Sequence, residues 1–195
     1  MFKMDKWGST YTFVDFDYND EIERNSTSSA YWEITRMFNI PLIKDLNAGI
    51  QYNDGLNTFG GFGNVWLIGI GYPINLKFIT LNTSLWLRDS ETQNPNFQTT
   101  IVWFKPFLKS KIIFNGFIDI WGQENTDGWN YENDSWISDE QENDSQIVIL
   151  TEPQLWYNIT ERIAIGSEIE ISKNFIFAGG EDWYVNPTIA LKWDF

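Results

Sequence analysis

Residues 183–195, WYVNPTIALKWDF, alternate with a period of two. Trp183, Val185, Pro187, Ile189, Leu191, Trp193 and Phe195 fall on one side of an extended chain. Tyr184, Asn186, Thr188, Ala190, Lys192 and Asp194 fall on the other, because successive strand side chains point to opposite faces. The first face is aliphatic in its middle and aromatic at its ends, and the second is mostly polar. Such a strand suits a wall with lipid on one side and water on the other. A soluble sandwich strand alternates too, so the constraint comes from recurrence. Ten segments read as extended, roughly 6–18, 29–40, 44–55, 63–73, 76–88, 95–106, 109–122, 145–158, 162–174 and 182–195. None carries a sustained 3.6-residue apolar period.

The expected fold is therefore all-β: an antiparallel, up-and-down transmembrane β-barrel of ten visible strands, in one domain spanning 1–195. Trp 11, Tyr 8 and Phe 15 make 17% of the chain, the kind of aromatic load that membrane barrels place in girdles at the two interfaces. A mean hydropathy of -0.32 is compatible with this, since barrel strands turn half their residues inward. No apolar run reaches the length of a transmembrane helix. Expected connections alternate: short near 40–44, 74–76, 108–109 and 159–162, longer near 19–28, 55–63, 89–94, 124–144 and 175–181. Charge sorts with them. Lys6, Arg36, Lys44, Lys77, Lys105, Lys109, Lys111, Arg162 and Lys192 sit near the short turns, nine of the 13 basic residues. Acids gather in a long loop at about 123–145, expected to be extracellular and solvated. Its Asp/Asn-rich stretch 125–134 offers oxygen ligands, but without the spacing of an EF-hand.

A net charge of -14 argues against nucleic acid as a partner. Without Cys there is neither disulfide nor thiolate metal site, and without His the usual general base and commonest transition-metal ligand are missing. No catalytic residue, metal or cofactor is expected. The start MFKMDKWGST has no apolar signal core.

Alternation assigns an inward face. The expected lining comprises Phe13, Asp15, Asp17, Glu33, Trp86, Arg88, Asp119, Trp121, Glu152, Trp156, Glu168, Glu170 and Lys192. Segment 63–73 is apolar on both sides, and its sequence assigns it no face. Acids inside a barrel need partners or water. Either Arg88, Lys111 and Lys192 pair with them and the interior is plugged, or the interior is hydrated. The excess of acids over bases favours a wet interior.

Four stretches, KWGSTYTFVDFDY (6–18), AYWEI (30–34), LTEPQLWYN (150–158) and NPTIALKWDF (186–195), resemble the Tsx-like nucleoside-specific channel-forming outer-membrane proteins, closest to a Bacteroidetes-type branch. The likeness runs in order over nearly the whole chain, the acidic loop excepted. It implies twelve strands, a narrow channel in the bacterial outer membrane, and a signal peptide and hairpin ahead of residue 1. It also implies that Phe13, Asp15, Asp17, Glu33, Glu152 and Trp156 line the lumen. The expected function is then a channel for small, nucleoside-like solutes, with outer-membrane lipid as the surrounding partner. The alternative is a structural barrel with a plugged lumen, docked to an envelope protein partner. An enzyme is not expected, because a chain without His lacks the base that hydrolase barrels use.

Overall fold

The computed structural model describes residues 1–194 except 19–25, 58–59, 62, 125–128, 133–134, 139–144 and 176–182. Fifteen strands and no helix occur among the described residues. They are β1 (Phe2–Asp5), β2 (Gly8–Tyr18), β3 (Thr27–Asn39), β4 (Asn47–Asn57), β5 (Gly60–Gly61), β6 (Val65–Asn75), β7 (Thr80–Ser90) and β8 (Gln93–Phe107). There follow β9 (Ile112–Glu124), β10 (Trp129–Glu132), β11 (Ser135–Ser138), β12 (Ser145–Thr151), β13 (Gln154–Asn158), β14 (Ile163–Lys173) and β15 (Trp183–Trp193). Thirteen form one antiparallel sheet and β10–β11 form a separate hairpin.

Each of the ten expected segments holds a strand, but the count is higher for physical reasons. β1 and β5 are short pieces folded back on β2 and β4. Segment 145–158 is interrupted at Glu152–Pro153, since proline has no N–H to give to a ladder. Register survives the break. Thr151 faces Ile118 and Gln154 faces Asn115 on β9, while the Glu152 amide reaches the Phe117 carbonyl at 3.2 Å. A second correction concerns the expected long loop at 89–94. It is a two-residue turn, 91–92, with the Glu91 carboxylate accepting from the Asn64 backbone (3.1 Å) and side-chain amide (2.7 Å).

The chain packs as two compact units, 1–73 with 84–97 and 74–83 with 98–195. In the first unit, one face of the sheet collects Tyr31, Glu33 and Thr35 from β3, Gln51 and Asn53 from β4, and Leu67 from β6, by direct cross-strand pairing. Thr35 and Gln51 are buried there, and Leu67 is 0% exposed. The reverse face carries Ile34, Ile50, Trp66, Ile68, Ile70, Tyr72, Leu85 and Leu87, all exposed, with Ile68 at 63%. The segment that sequence could not orient is thereby oriented: Leu67 and Gly69 lie on the polar face, Trp66, Ile68, Ile70 and Tyr72 opposite.

The second unit repeats the inversion. Gln98 and Ser172 are buried, while Ile147, Leu155, Tyr157, Ile165, Ile189 and Leu191 are exposed, Ile189 to 88%. Alternation changes phase in β8. Gln98 and Thr100 share the face of Trp121 and Asp119, but farther along Trp103 is buried and Val102 and Phe104 are exposed.

Candidate functional site

Glycines let tryptophans lie flat on these sheets. Gly49 and Gly69 are cross-strand partners on β4 and β6, and the Trp86 indole covers both. A Cβ at Gly69 would stand 2.7 Å from the Trp86 ring, and one at Gly49 equally close. Trp103 faces Gly116 and Trp156 faces Gly166 in the same way, with a Cβ at those glycines 2.6 and 2.5 Å from the ring. A bulky ring thus takes up little height above the polar face. Trp86 is only 2% exposed, and the Nε1 atoms of Trp86 and Trp103 make no hydrogen bond among the described residues.

In the first unit, Phe13 lies between Tyr11 and Tyr31, with ring centroids 5.7 Å away on each side. It pairs across the ladder with Glu33. Thr35 Oγ1 donates to either Glu33 or Gln51 across 2.9 Å, and Gln51 Nε2 donates to Asn53 Oδ1 at 3.0 Å. A carboxylate, a hydroxyl and two amides therefore form one polar chain across β3 and β4. Farther along, Asp17 accepts from the Ser29 hydroxyl, and Asp15 is exposed opposite Tyr31. Arg88 follows Trp86 on the same side of β7 and is half-buried.

The second unit centres on Gln154. Its Oε1 accepts from Asn115 Nδ2 at 2.9 Å and Trp156 Nε1 at 3.1 Å, and its Nε2 donates to Glu168. Ser172 Oγ donates to Glu170 Oε1 at 3.3 Å, and Thr100 Oγ1 to Asp119 Oδ1. Trp121 is buried, donates to Gln123 Oε1 at 3.3 Å and meets Phe175 edge-on at 5.8 Å. Glu152 is half-buried at the break between β12 and β13. Lys192 is exposed near the end of β15 and pairs with Asp194 at 3.3 Å.

Sequence reasoning thus placed carboxylates and aromatics on common faces within each unit, and missed what holds them. Of the cations, Lys192 bonds Asp194 and Lys111 lies 5.4 Å above the Tyr157 ring. The acids Glu33, Asp119, Glu168 and Glu170 take hydrogen bonds from hydroxyls and amides. The Gln98, Gln154 and Thr100 positions, all polar within apolar-alternating strands, were the available signal. Of the acidic loop, the backbone shows the β10–β11 hairpin, while Asp127, Asp134, Asp139, Glu140, Glu142 and Asp144 lie outside the described residues, and with them most of the oxygen-rich stretch 125–134. No group of acids able to hold a metal occurs among the described residues.

No curated protein and no solved structure matches the chain. A family model described as a domain of unknown function, DUF5020, matches residues 1–195, and the chain belongs to that family.

Proposed function

We propose that this chain is a transmembrane β-barrel of the bacterial outer membrane that passes small solutes. The observation that carries this reading is the inverted sheet: Thr35, Gln51, Gln98 and Ser172 are buried while Ile68, Leu87, Ile165 and Ile189 are exposed. A water-soluble fold would lose stability by that arrangement, since burying apolar surface is the main favourable contribution to folding. In hydrocarbon the same arrangement is the stable one, and a closed barrel satisfies its backbone polar groups strand to strand. No helix among the described residues is long and apolar enough to cross a membrane, so crossing falls to strands. On β15, Trp183 and Trp193 bracket Val185, Ile189 and Leu191. Ten residues at about 3.3 Å each, tilted by about 40°, rise about 25 Å, the height of a barrel's apolar band.

The solutes it fits are neutral or cationic and carry hydrogen-bonding groups. Its polar faces present carboxylates bonded to amides and hydroxyls in a chain of net charge -14, and an acidic narrow passage repels anions. Nucleoside-like molecules meet this description, having base faces that stack on aromatics at roughly 1–3 kcal/mol per base and hydroxyls that donate to carboxylates. Planar-bilayer recordings test the reading. Discrete conductance, selective for cations and reduced by added nucleoside, is the expected result. A silent membrane would favour the plugged, partner-binding barrel, for which the buried Thr35–Gln51 contact is the specific support.

A further inference from the structure

At the end of the second unit where β8 meets β9 and β13 meets β14, the charge balance of the chain reverses. Lys105, Lys109, Lys111 and Arg162 stand there with Glu161, in a protein whose net charge is -14. Lys192 is there too, already engaged by Asp194. The turns that carry these residues are joined side by side. The Asn158 amide donates to the Lys111 carbonyl at 2.9 Å, and its side chain donates to the Ser110 carbonyl at 2.6 Å. Asp194 N reaches the Arg162 carbonyl at 2.8 Å.

The backbone is held in an uncommon form at this place. Leu108, Lys109 and Ser110 have φ of 48°, 57° and 65°, three successive non-glycine residues in a left-handed conformation that persists only where neighbours hold it. Leu108 is left 72% exposed at the turn, and Phe107, Tyr157, Ile159 and Trp193, at the same end of their strands, are exposed too. The ammonium groups lie back over this apolar collar: Lys111 Nζ is 5.4 Å from the Tyr157 centroid and Lys105 Nζ 6.0 Å from that of Phe107.

We infer that this rim is a docking surface for anionic phospholipid headgroups. The rings and Leu108 would sit at the level of the glycerol backbone, and the four cations would meet the phosphodiesters. Aromatic residues favour that interfacial depth, and long basic side chains keep their charge at the headgroups while their stems cover apolar surface. Charge complementarity selects the occupant. A zwitterionic bilayer offers the cations less, and neither an acidic protein surface nor a free anion in water supplies the apolar layer that the exposed Leu108, Phe107 and Tyr157 call for. The inference rests on the membrane reading above and adds which lipid the turn end takes.

The test uses the full chain refolded into vesicles of phosphatidylcholine alone or with one part in four phosphatidylglycerol, then extracted and captured for analysis of the lipid retained. A basic side chain near an anionic surface favours it by about fivefold. The wild type should hold phosphatidylglycerol and phosphatidylcholine in a ratio about fivefold or more above the bulk ratio, and the variant K105Q/K109Q/K111Q/R162Q in a ratio close to the bulk one. Asp89→Asn, in the other unit, should leave the enrichment unchanged. Equal enrichment in wild type and quadruple variant would overturn the inference while leaving the membrane reading intact. Failure of both proteins to enter either vesicle would overturn the membrane reading itself. Should the variant not fold, raising salt on the wild type decides: the enrichment must fall as the ionic strength shortens the Debye length, and a salt-insensitive preference refutes it.

Discussion

Replacing Gly69 by alanine tests the packing that sets Trp86 on the polar face. In an extended strand without obstruction this change stabilises by about 0.4–1 kcal/mol, because the unfolded chain loses freedom. At Gly69 a Cβ would lie 2.2 Å from the Leu85 carbonyl oxygen, 2.9 Å from the Trp86 Cα and 2.7 Å from its ring. The first two are backbone and cannot rotate away, so β6 and β7 must separate locally. Overpacking of that kind costs about 1–3 kcal/mol. The net expectation is a loss of about 0.5–2 kcal/mol, obtained as that cost less the entropic gain. Gly61→Ala is the control, since its nearest neighbours are ordinary contacts at 3.7 and 3.9 Å. Urea unfolding in lipid vesicles, followed by tryptophan fluorescence, measures both. A Gly69→Ala protein as stable as wild type, with Gly61→Ala also neutral, would refute the close approach.

Gln154→Leu should destabilise by about 1–3 kcal/mol in the same assay, because Asn115, Trp156 and Glu168 each lose a hydrogen bond at once; a neutral result would show that water replaces it freely. Ile68→Arg and Ile189→Arg should each cost about 2–4 kcal/mol in a bilayer if the residues lie near its midplane, against changes within about 0.5 kcal/mol for an exposed site in water. Asp5 lies in the four-residue β1, outside the strands long enough to span. The hydrogen bond from Arg36, which faces it at 2.9 Å, lowers the Asp5 pKa. Its contribution is therefore complete above the unfolded carboxylate value of about 3.9 and disappears as pH falls through the lower folded value. Hydrogen exchange at Lys3 and Met4 should quicken, relative to the pH-corrected intrinsic rate, on going from pH 6 to strong acid. In Asp5→Asn that change should be absent, and an identical pH response would remove the ion pair from the account.

Period-two alternation made β2, β3, β4, β14 and β15 legible, because one face of each is polar enough to be told from the other. It failed on β6, where Leu67 on the polar side and Ile68 opposite are equally apolar, and only pairing with Gln51 and Ile50 separates them. The phase change in β8 was invisible for a related reason. Trp103 is buried because Gly116 stands opposite, which is a property of register and not of either strand alone. Cross-strand register likewise hid the Trp86–Gly49–Gly69 cluster and the Gln154 hub, whose members lie far apart in sequence. The acids were legible as a set, but which hydroxyls and amides reach them is set by rotamer and register: Thr35 and Ser172 sit on the same strand as their acids, Thr100 and Gln154 one strand away.

The central claim is that the apolar face of the sheet meets hydrocarbon. The chain has no cysteine, so single labels can be placed cleanly. A small fluorophore attached at Ile68→Cys, Ile189→Cys or Asn53→Cys can be exposed to lipids brominated along the acyl chain and, separately, to iodide in water. The account predicts strong quenching at 68 and 189 by the brominated lipid and little by iodide, with no quenching by brominated lipid at 53, on the polar face. Iodide quenching at 68 and 189 without any effect of the brominated lipid would contradict it.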